Sequence, residues 1–229
     1  MCIMQPEIID FGLSRYKDIR ESQKSYQKKV IESKTSDTSG PLPEYLMIGE
    51  HYPVYTLGFH GDAGNILVSE EFLDKKGCEV IRIERGGDIT YHGPGQVILY
   101  PIIDLQTHGL GVKQYVSILE ETIIQVLEEY GVKGERIEGA TGVWIGKATN
   151  DERKICAIGI KVSRGVTTHG LALNVNTELS YFSYINPCGF KEKGVTSLSM
   201  ELGGQISIEE VKKKIIDKFL TLLPYREAK

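Results

Sequence analysis

Cysteine is scarce and poorly spaced for metal or disulfide chemistry. The four copies, Cys2, Cys78, Cys156 and Cys188, include no C-x-x-C pair. In a chain of 229 residues that leaves neither a zinc site nor a disulfide framework with support. Long apolar runs are absent as well: no stretch approaches the roughly 20 residues of a membrane span. The first ten residues lack a basic region followed by an apolar core, so no secretory signal is expected. Basic excess is missing, with a formal net charge of -4, which argues against a nucleic-acid footprint. No internal repeat and no low-complexity tract is present. A cytoplasmic protein with reduced thiols is the expectation.

What remains is ordinary globular composition, 41% hydrophobic and 25% charged, enough for a sizeable core. One stretch stands out. Arg85-Gly86-Gly87-Asp88-Ile89-Thr90-Tyr91-His92-Gly93-Pro94-Gly95-Gln96 carries four glycines and a proline between two apolar segments, Val80–Ile83 and Val97–Ile103. Such a run suits neither a helix nor a strand interior. It reads as a loop where backbone bends sharply and can approach a ligand, because glycine has no Cβ to hold the ligand away. The same composition also suits a long hairpin or Ω-loop with no ligand.

In chain order, Ser14–Ser33 reads as a polar helix with Ser14 as its N-cap, and Thr35–Pro43 as a loop. Tyr45–Ile48 and Val54–Gly58 read as strands, and Phe72–Gly77 as a short helix. Val112–Tyr130 has apolar residues at three- and four-residue spacing and Gly131 beyond its end, which predicts a helix. Gly142–Gly146, Lys154–Val162 and Leu171–Val175 read as strands, with Lys147–Arg153 as a polar hairpin tip. Ser207 and Glu210 mark a capping box opening a last helix, Ile208–Leu223, with Val211, Ile215, Phe219 and Leu222 as its buried stripe. Strands and helices mix without regular βαβ alternation. The expected class is α+β, a mixed sheet with packed helices.

Cys188 lies in Asn186-Pro187-Cys188-Gly189, a turn context in which a thiolate is reachable. Cys78 and Cys156 sit in apolar strand-like contexts where inert buried thiols are usual. A nucleophilic cysteine needs a nearby histidine, lysine or helix N-terminus; His92, His169, Lys154 and Lys161 are the candidates. Along one regular strand Lys154 and Lys161 would face opposite ways, so one at most could look into a given site. Each lysine could equally be a solvated tip, and each histidine a hydrogen-bonded core or surface residue. Ala157-Ile158-Gly159 and Gly170-Leu171-Ala172 are small-residue segments that could leave a slot for an extended ligand, or could reflect tight sheet packing.

Taken together, Arg85–Gln96, Lys154-Ile-Cys-Ala-Ile-Gly159, His169-Gly-Leu-Ala-Leu-Asn-Val-Asn176, Asn186-Pro-Cys-Gly189 and Val195-Thr-Ser-Leu198 resemble, in order and spacing, the lipoyl (octanoyl) transferase family. Glu50–Gly58 resembles that family's early strand motif. The likeness spans about Tyr45–Leu198, within a single catalytic domain over 1–229, and implies the fold of the biotin and lipoate protein ligases. It implies transfer of an octanoyl group from octanoyl-acyl-carrier protein to a lysine of lipoyl domains, those of 2-oxoacid dehydrogenase complexes and of the glycine cleavage H protein. This would be the first step of protein lipoylation. By the resemblance Cys188 takes the acyl group as a thioester and Lys154 lowers its pKa. The acyl chain is bound by Arg85, Gly86, Gly87, Asp88, Ile89, Thr90, Tyr91 and His92, by Ala157, Ile158 and Gly159, and by Gly170, Leu171 and Ala172. His92 and His169 are read as positioning groups. No cofactor, metal, membrane or nucleic acid is implied. The Lys147–Arg153 tip is longer than is usual in that family. An ATP-dependent lipoate or biotin protein ligase on the same scaffold is the alternative; it would not need Cys188.

Overall fold

The computed structural model describes residues 5–35, 42–186 and 194–224. The larger of two sheets runs in the order β1 (Glu7–Ser14), β2 (Tyr45–His51), β6 (Gln96–Ile102), β10 (Val166–Asn174), β9 (Arg153–Ser163), β8 (Ala140–Ile145), β7 (Glu135–Ile137). A short strand, β11 (Gly194–Val195), adds to β9 in parallel. β1 and β2 are also parallel, and the other neighbours are antiparallel. A second sheet holds β4 (Glu79–Arg82), β3 (Val54–Leu57) and β5 (Ile89–His92). The helices are α1 (Tyr16–Thr35), α2 (Glu70–Lys75), α3 (Val112–Glu129), α4 (Leu198–Leu202) and α5 (Ile208–Leu222). The class is α+β, as the mixed pattern predicts. Among the described residues no helix is long and apolar enough to cross a membrane.

The centre of the large sheet is covered on both faces. All of β6 is buried, so it reads as a continuous apolar run rather than an alternating one. Val97 and Leu99 join the core under α3 and α5, with Tyr115, Leu119, Ile123, Ile215 and Phe219. Ile98, Tyr100 and Ile102 face the other way, against Ile19 and Val30 of α1. Just past the end of α3, Gly131 takes φ +73°, the left-handed conformation expected there. Ser207 caps α5 by accepting from the Glu210 N–H. Glu210 does not complete a capping box; its carboxylate accepts from Tyr130 Oη. Leu223 is buried at the end of the stripe where Leu222 was expected.

β1, the start of α1 and β5 depart from the sequence reading, and β7, β11 and α4 have no counterpart in it. β1 was not anticipated, because an edge strand with one polar side has little apolar signal. Ser14 ends this strand rather than capping α1, and its hydroxyl donates to the Phe11 carbonyl. β5 lies inside the glycine-rich stretch, where Ile89–His92 pairs with Leu57–Val54.

A buried polar knot ties chain segments that lie far apart. His108 sets one ring nitrogen 2.9 Å from each Glu44 carboxylate oxygen and the other 2.8 Å from the Pro224 carbonyl. Both partners are acceptors, so both ring nitrogens must carry protons. Burial opposes that charge, but the Glu44 carboxylate, the Pro224 carbonyl and Asp104 outweigh it and hold the His108 pKa above its ordinary value. The Glu44 carboxylate also accepts from the Asp104 N–H at 3.0 Å. A raised folded-state pKa gives stability that is complete below the unfolded value, about 6.5, and is lost as pH rises through the folded one. Thermal or urea unfolding should therefore show stability falling as pH rises from about 6.5 through the folded-state pKa, by up to about 1.4 kcal/mol per pH unit. In His108→Gln that slope should vanish; an unchanged slope would contradict the charged pair.

Candidate active site

A cavity of about 760 Å³ opens on the α1-side face of the large sheet. The small sheet and the 3₁₀ turn Leu179–Tyr184 contribute to its walls. Its floor is laid by two cross-strand pairs of small residues, Ala157 opposite Ala172 and Gly159 opposite Gly170. A Cβ on Gly159 would stand 2.9 Å from Arg85 Cδ and 3.0 Å from the Gly86 carbonyl. One on Gly170 would fall 2.1 Å from the Leu99 carbonyl. Close approach of backbone, rather than turn formation, requires glycine at both places.

Lys154 reaches this cavity through a break in strand pairing. Opposite β8, Trp144 pairs with Lys154 but Val143 pairs with Cys156, so Ile155 is an extra residue. Ile155 and Cys156 both point into the α3–α5 core. Lys154 is thereby moved to the face of Ala157 and Gly159. A regular strand would have set Lys154 and Lys161 on opposite faces; the bulge places them on one, with Lys161 exposed and beyond the cavity lining. Lys154 Nζ lies 4.6 Å from the centre of the Trp144 ring and donates to the Thr141 carbonyl at 3.2 Å. The aromatic face and the carbonyl together hold the lysine head group in place. Trp144 is itself fixed by donating to the Ala140 carbonyl.

The wall opposite is a chain of buried hydrogen bonds. Arg85 donates to the Thr56 carbonyl at 2.7 Å, to Thr56 Oγ1 at 3.0 Å and to the Gly86 carbonyl at 2.9 Å. His92 Nδ1 donates to Gln96 Oε1 at 2.8 Å, which leaves Nε2 to accept from Thr56 Oγ1 at 3.3 Å. Gln96 Nε2 donates to Asn174 Oδ1, and Asn174 Nδ2 to the Thr196 carbonyl. The Thr196 N–H returns to the Lys154 carbonyl at 3.0 Å. The chain thus joins the small sheet to β10, β9 and β11. Burial pushes His92 and His169 down to about 3 and His51 to about 4, so all three rings are neutral at pH 7.

Most of the residues expected to bind an acyl chain line this cavity: Arg85, Gly87, Asp88, Ile89, Thr90 and His92 from the glycine-rich stretch, and all of Ala157–Gly159 and Gly170–Ala172. Two do not. Gly86 is spent on backbone contact, its N–H donating to the Ile160 carbonyl. Tyr91 points away and stacks on Tyr181 at 4.6 Å between ring centres. Lining residues that the sequence did not mark include Tyr16, Tyr100, Trp144 and Phe182; each is an aromatic whose pattern reads as core. Cys156 and Cys78 are buried thiols pushed up to about 12 by burial, which makes them poor nucleophiles. Cys188 lies outside the described residues. The residues on either side of that gap, Asn186 and Gly194, both line the cavity.

Comparison with known proteins agrees with this geometry. The model of the lipoyl protein ligase A/B catalytic domain matches residues 23–220. A protein of Parabacteroides distasonis named octanoyltransferase is 50% identical over 214 residues, covering 93% of this chain and 96% of its own. One of the same name from Christiangramia forsetii is 46% identical over 221 residues, 94% of each chain. Among solved structures, the chain is similar to a bipartite lipoate protein ligase from Thermoplasma acidophilum, with TM-score 0.70 at 20% identity over 99% of this chain and 87% of that one. It is also similar to the Aquifex aeolicus biotin protein ligase in complex with biotin and ATP, with TM-score 0.51 at 13% identity over 95% and 70%. At these identities the structural likeness concerns the fold.

Thr56 sits at the junction of Arg85 and His92. Thr56→Val, nearly isosteric, should destabilise the protein by about 2–4 kcal/mol in urea unfolding, because it leaves buried donors and an acceptor unpaired. Thr56→Ser should recover most of that loss. Equal effects of the two changes would contradict the hydrogen-bond account.

Proposed function

The chain belongs to the lipoyl protein ligase A/B catalytic domain family, and from that premise we propose that it transfers an octanoyl group from octanoyl-acyl-carrier protein to a lysine amine of lipoyl domains through a thioester on Cys188. The acceptors are the lipoyl domains of 2-oxoacid dehydrogenase complexes and the glycine cleavage H protein. The observation that carries the reading is the position of Lys154. Its ammonium is turned into a cavity floored by small residues, and its strand pairs with β11, where the chain re-enters the described structure six residues after Cys188. The relatives named octanoyltransferase at 46–50% identity support the acyl group.

The chemistry balances without an external energy source. Cys188 reacts as the thiolate beside the Lys154 ammonium, and its sulfur attacks the thioester carbonyl of the donor. The tetrahedral intermediate expels the pantetheine thiolate, which takes a proton from the Lys154 ammonium. One thioester has replaced another, so no ATP is consumed. In the second half the acceptor amine attacks the acyl-enzyme carbonyl and loses its proton to Lys154. Collapse breaks the C–S bond, forms the amide and leaves a thiolate beside an ammonium. Lys154 is the proton carrier in both halves, and the Trp144 face and Thr141 carbonyl hold it where it can serve both. The neutral histidines His92 and His169 position the wall and are too weakly basic to compete for the proton.

The test is acyl transfer to a purified lipoyl domain from octanoyl-carrier protein with no ATP present. Cys188→Ala should give no transfer, and Lys154→Ala should lower the rate about 10²–10⁴-fold, the range for loss of a general acid–base. Transfer that survives Cys188→Ala, or that appears only when ATP and free acid are supplied, would overturn the reading in favour of an adenylating ligase.

A further inference from the structure

Along β10 the side chains alternate between two faces. Leu171 and Leu173 join the core under α3 and α5. Gly170, Ala172 and Asn174 line the cavity, which Leu171 also borders. By this parity His169 belongs with Leu171, and its cross-strand partner Ile160 does pack against that core. The imidazole nevertheless lies on the cavity side. Its Nδ1 is 3.4 Å from Tyr16 Oη, and the ring stands edge-on to Tyr100 with centres 6.3 Å apart. The backbone explains the reversal: His169 has φ +58°, the left-handed region, in the middle of a strand. For a residue with a Cβ this costs about 1–2 kcal/mol. Helix α1 holds the conformation, since the His169 N–H donates to Gln23 Oε1 at 2.8 Å.

The reversal falls where the small-residue floor ends. That floor consists of Ala157–Ala172 and then Gly159–Gly170, and the next pair is Ile160–His169. With the ring on its own face, the floor would continue toward Thr168 without the imidazole across it. With the ring turned, an imidazole backed by Tyr16 closes the cavity, while Arg85 closes it over Gly159 from the small sheet. Counting strand positions from Lys154 to Ile160, and omitting the extra Ile155, gives five steps. At about 3.4 Å each that is about 17 Å of backbone. The lysine side chain and the imidazole each occupy part of that length, and the remainder is on the scale of an extended eight-carbon acyl chain.

We propose that His169 is the end-stop of the acyl channel, a specificity-determining residue whose turned imidazole, backed by Tyr16, sets the longest chain the enzyme admits. The inference rests on the acyl-transfer reading above. His169 takes no part in making or breaking bonds; it touches the far end of the chain, away from Lys154.

The experiment compares kcat/KM for hexanoyl-, octanoyl-, decanoyl- and dodecanoyl-carrier protein in the wild type, His169→Gly and His169→Asn. Glycine and asparagine both tolerate a left-handed φ, so the fold is kept. The dodecanoyl-to-octanoyl ratio should rise at least tenfold in His169→Gly, and less in His169→Asn, whose amide still fills part of the space. Four methylenes separate these two donors, and one alone is worth about 10–200-fold in an apolar pocket. Tyr16→Leu opens the same end from α1 and should move the ratio in the same direction. Ratios within twofold of wild type in folded variants would overturn the end-stop while leaving octanoyl transfer intact. A wild type that transfers no acyl group from any donor would overturn the reading beneath it, and the end-stop with it.

Discussion

One extra residue in β9 is the constraint on which the site depends. Ile155 has no partner on β8, and its insertion reverses the strand's alternation between Cys156 and Lys154. Were β9 regular, Lys154 would point toward the apolar core beneath α3, where an unpaired ammonium costs several kcal/mol. The bulge instead buries two apolar side chains in succession and hands the ammonium to the cavity, against an indole face and a carbonyl. A second irregularity, the positive φ of His169 on the neighbouring strand, does the same for an imidazole. The sheet supplies rigidity, and two local departures from regular geometry on β9 and β10 turn polar groups toward the cavity.

The glycine-rich stretch contributes in a different way. Its value lies in packing as much as in ligand approach. Arg85 and Gly86 lie against Gly159 and Ile160, so the small sheet is laid down onto the large one with little between them. The contact is secured by a chain of buried polar groups running from Arg85 through Thr56, His92, Gln96 and Asn174 to Thr196. Each group finds its partners, which is the condition under which a buried polar network rigidifies rather than destabilises. Neutral histidine suits that role, because one nitrogen donates while the other accepts.

Much of this architecture was legible in the sequence. α3 and α5 announce themselves through apolar spacing, and Gly131 through the need for a left-handed residue beyond a helix end. β6 reads as a buried strand because both of its faces are covered. The Lys147–Arg153 tip and the small-residue character of Ala157–Gly159 and Gly170–Ala172 were visible for the same reason: composition reflects local backbone demands. What was hidden depends on tertiary neighbours. β1 sits at an edge with half its residues in solvent, so its pattern is faint. Ile89–His92 is a strand only because β3 pairs with it. The faces of Lys154 and His169 follow from a bulge and a positive φ that no periodicity announces. Tyr91, set in the middle of the glycine-rich stretch, turns away from the cavity into a buried cluster beside Tyr181, whereas Tyr16 and Trp144 line the cavity from positions that read as ordinary core.

The central claim is a covalent acyl-enzyme formed on a cysteine that Lys154 serves. Intact-protein mass spectrometry after mixing the chain with octanoyl-acyl-carrier protein, without ATP and without acceptor, tests it most directly. The account predicts a mass increase of one octanoyl group, located by peptide mapping to Cys188 and discharged when a lipoyl domain is added. No adduct, or an adduct on another residue that the acceptor fails to discharge, would contradict it.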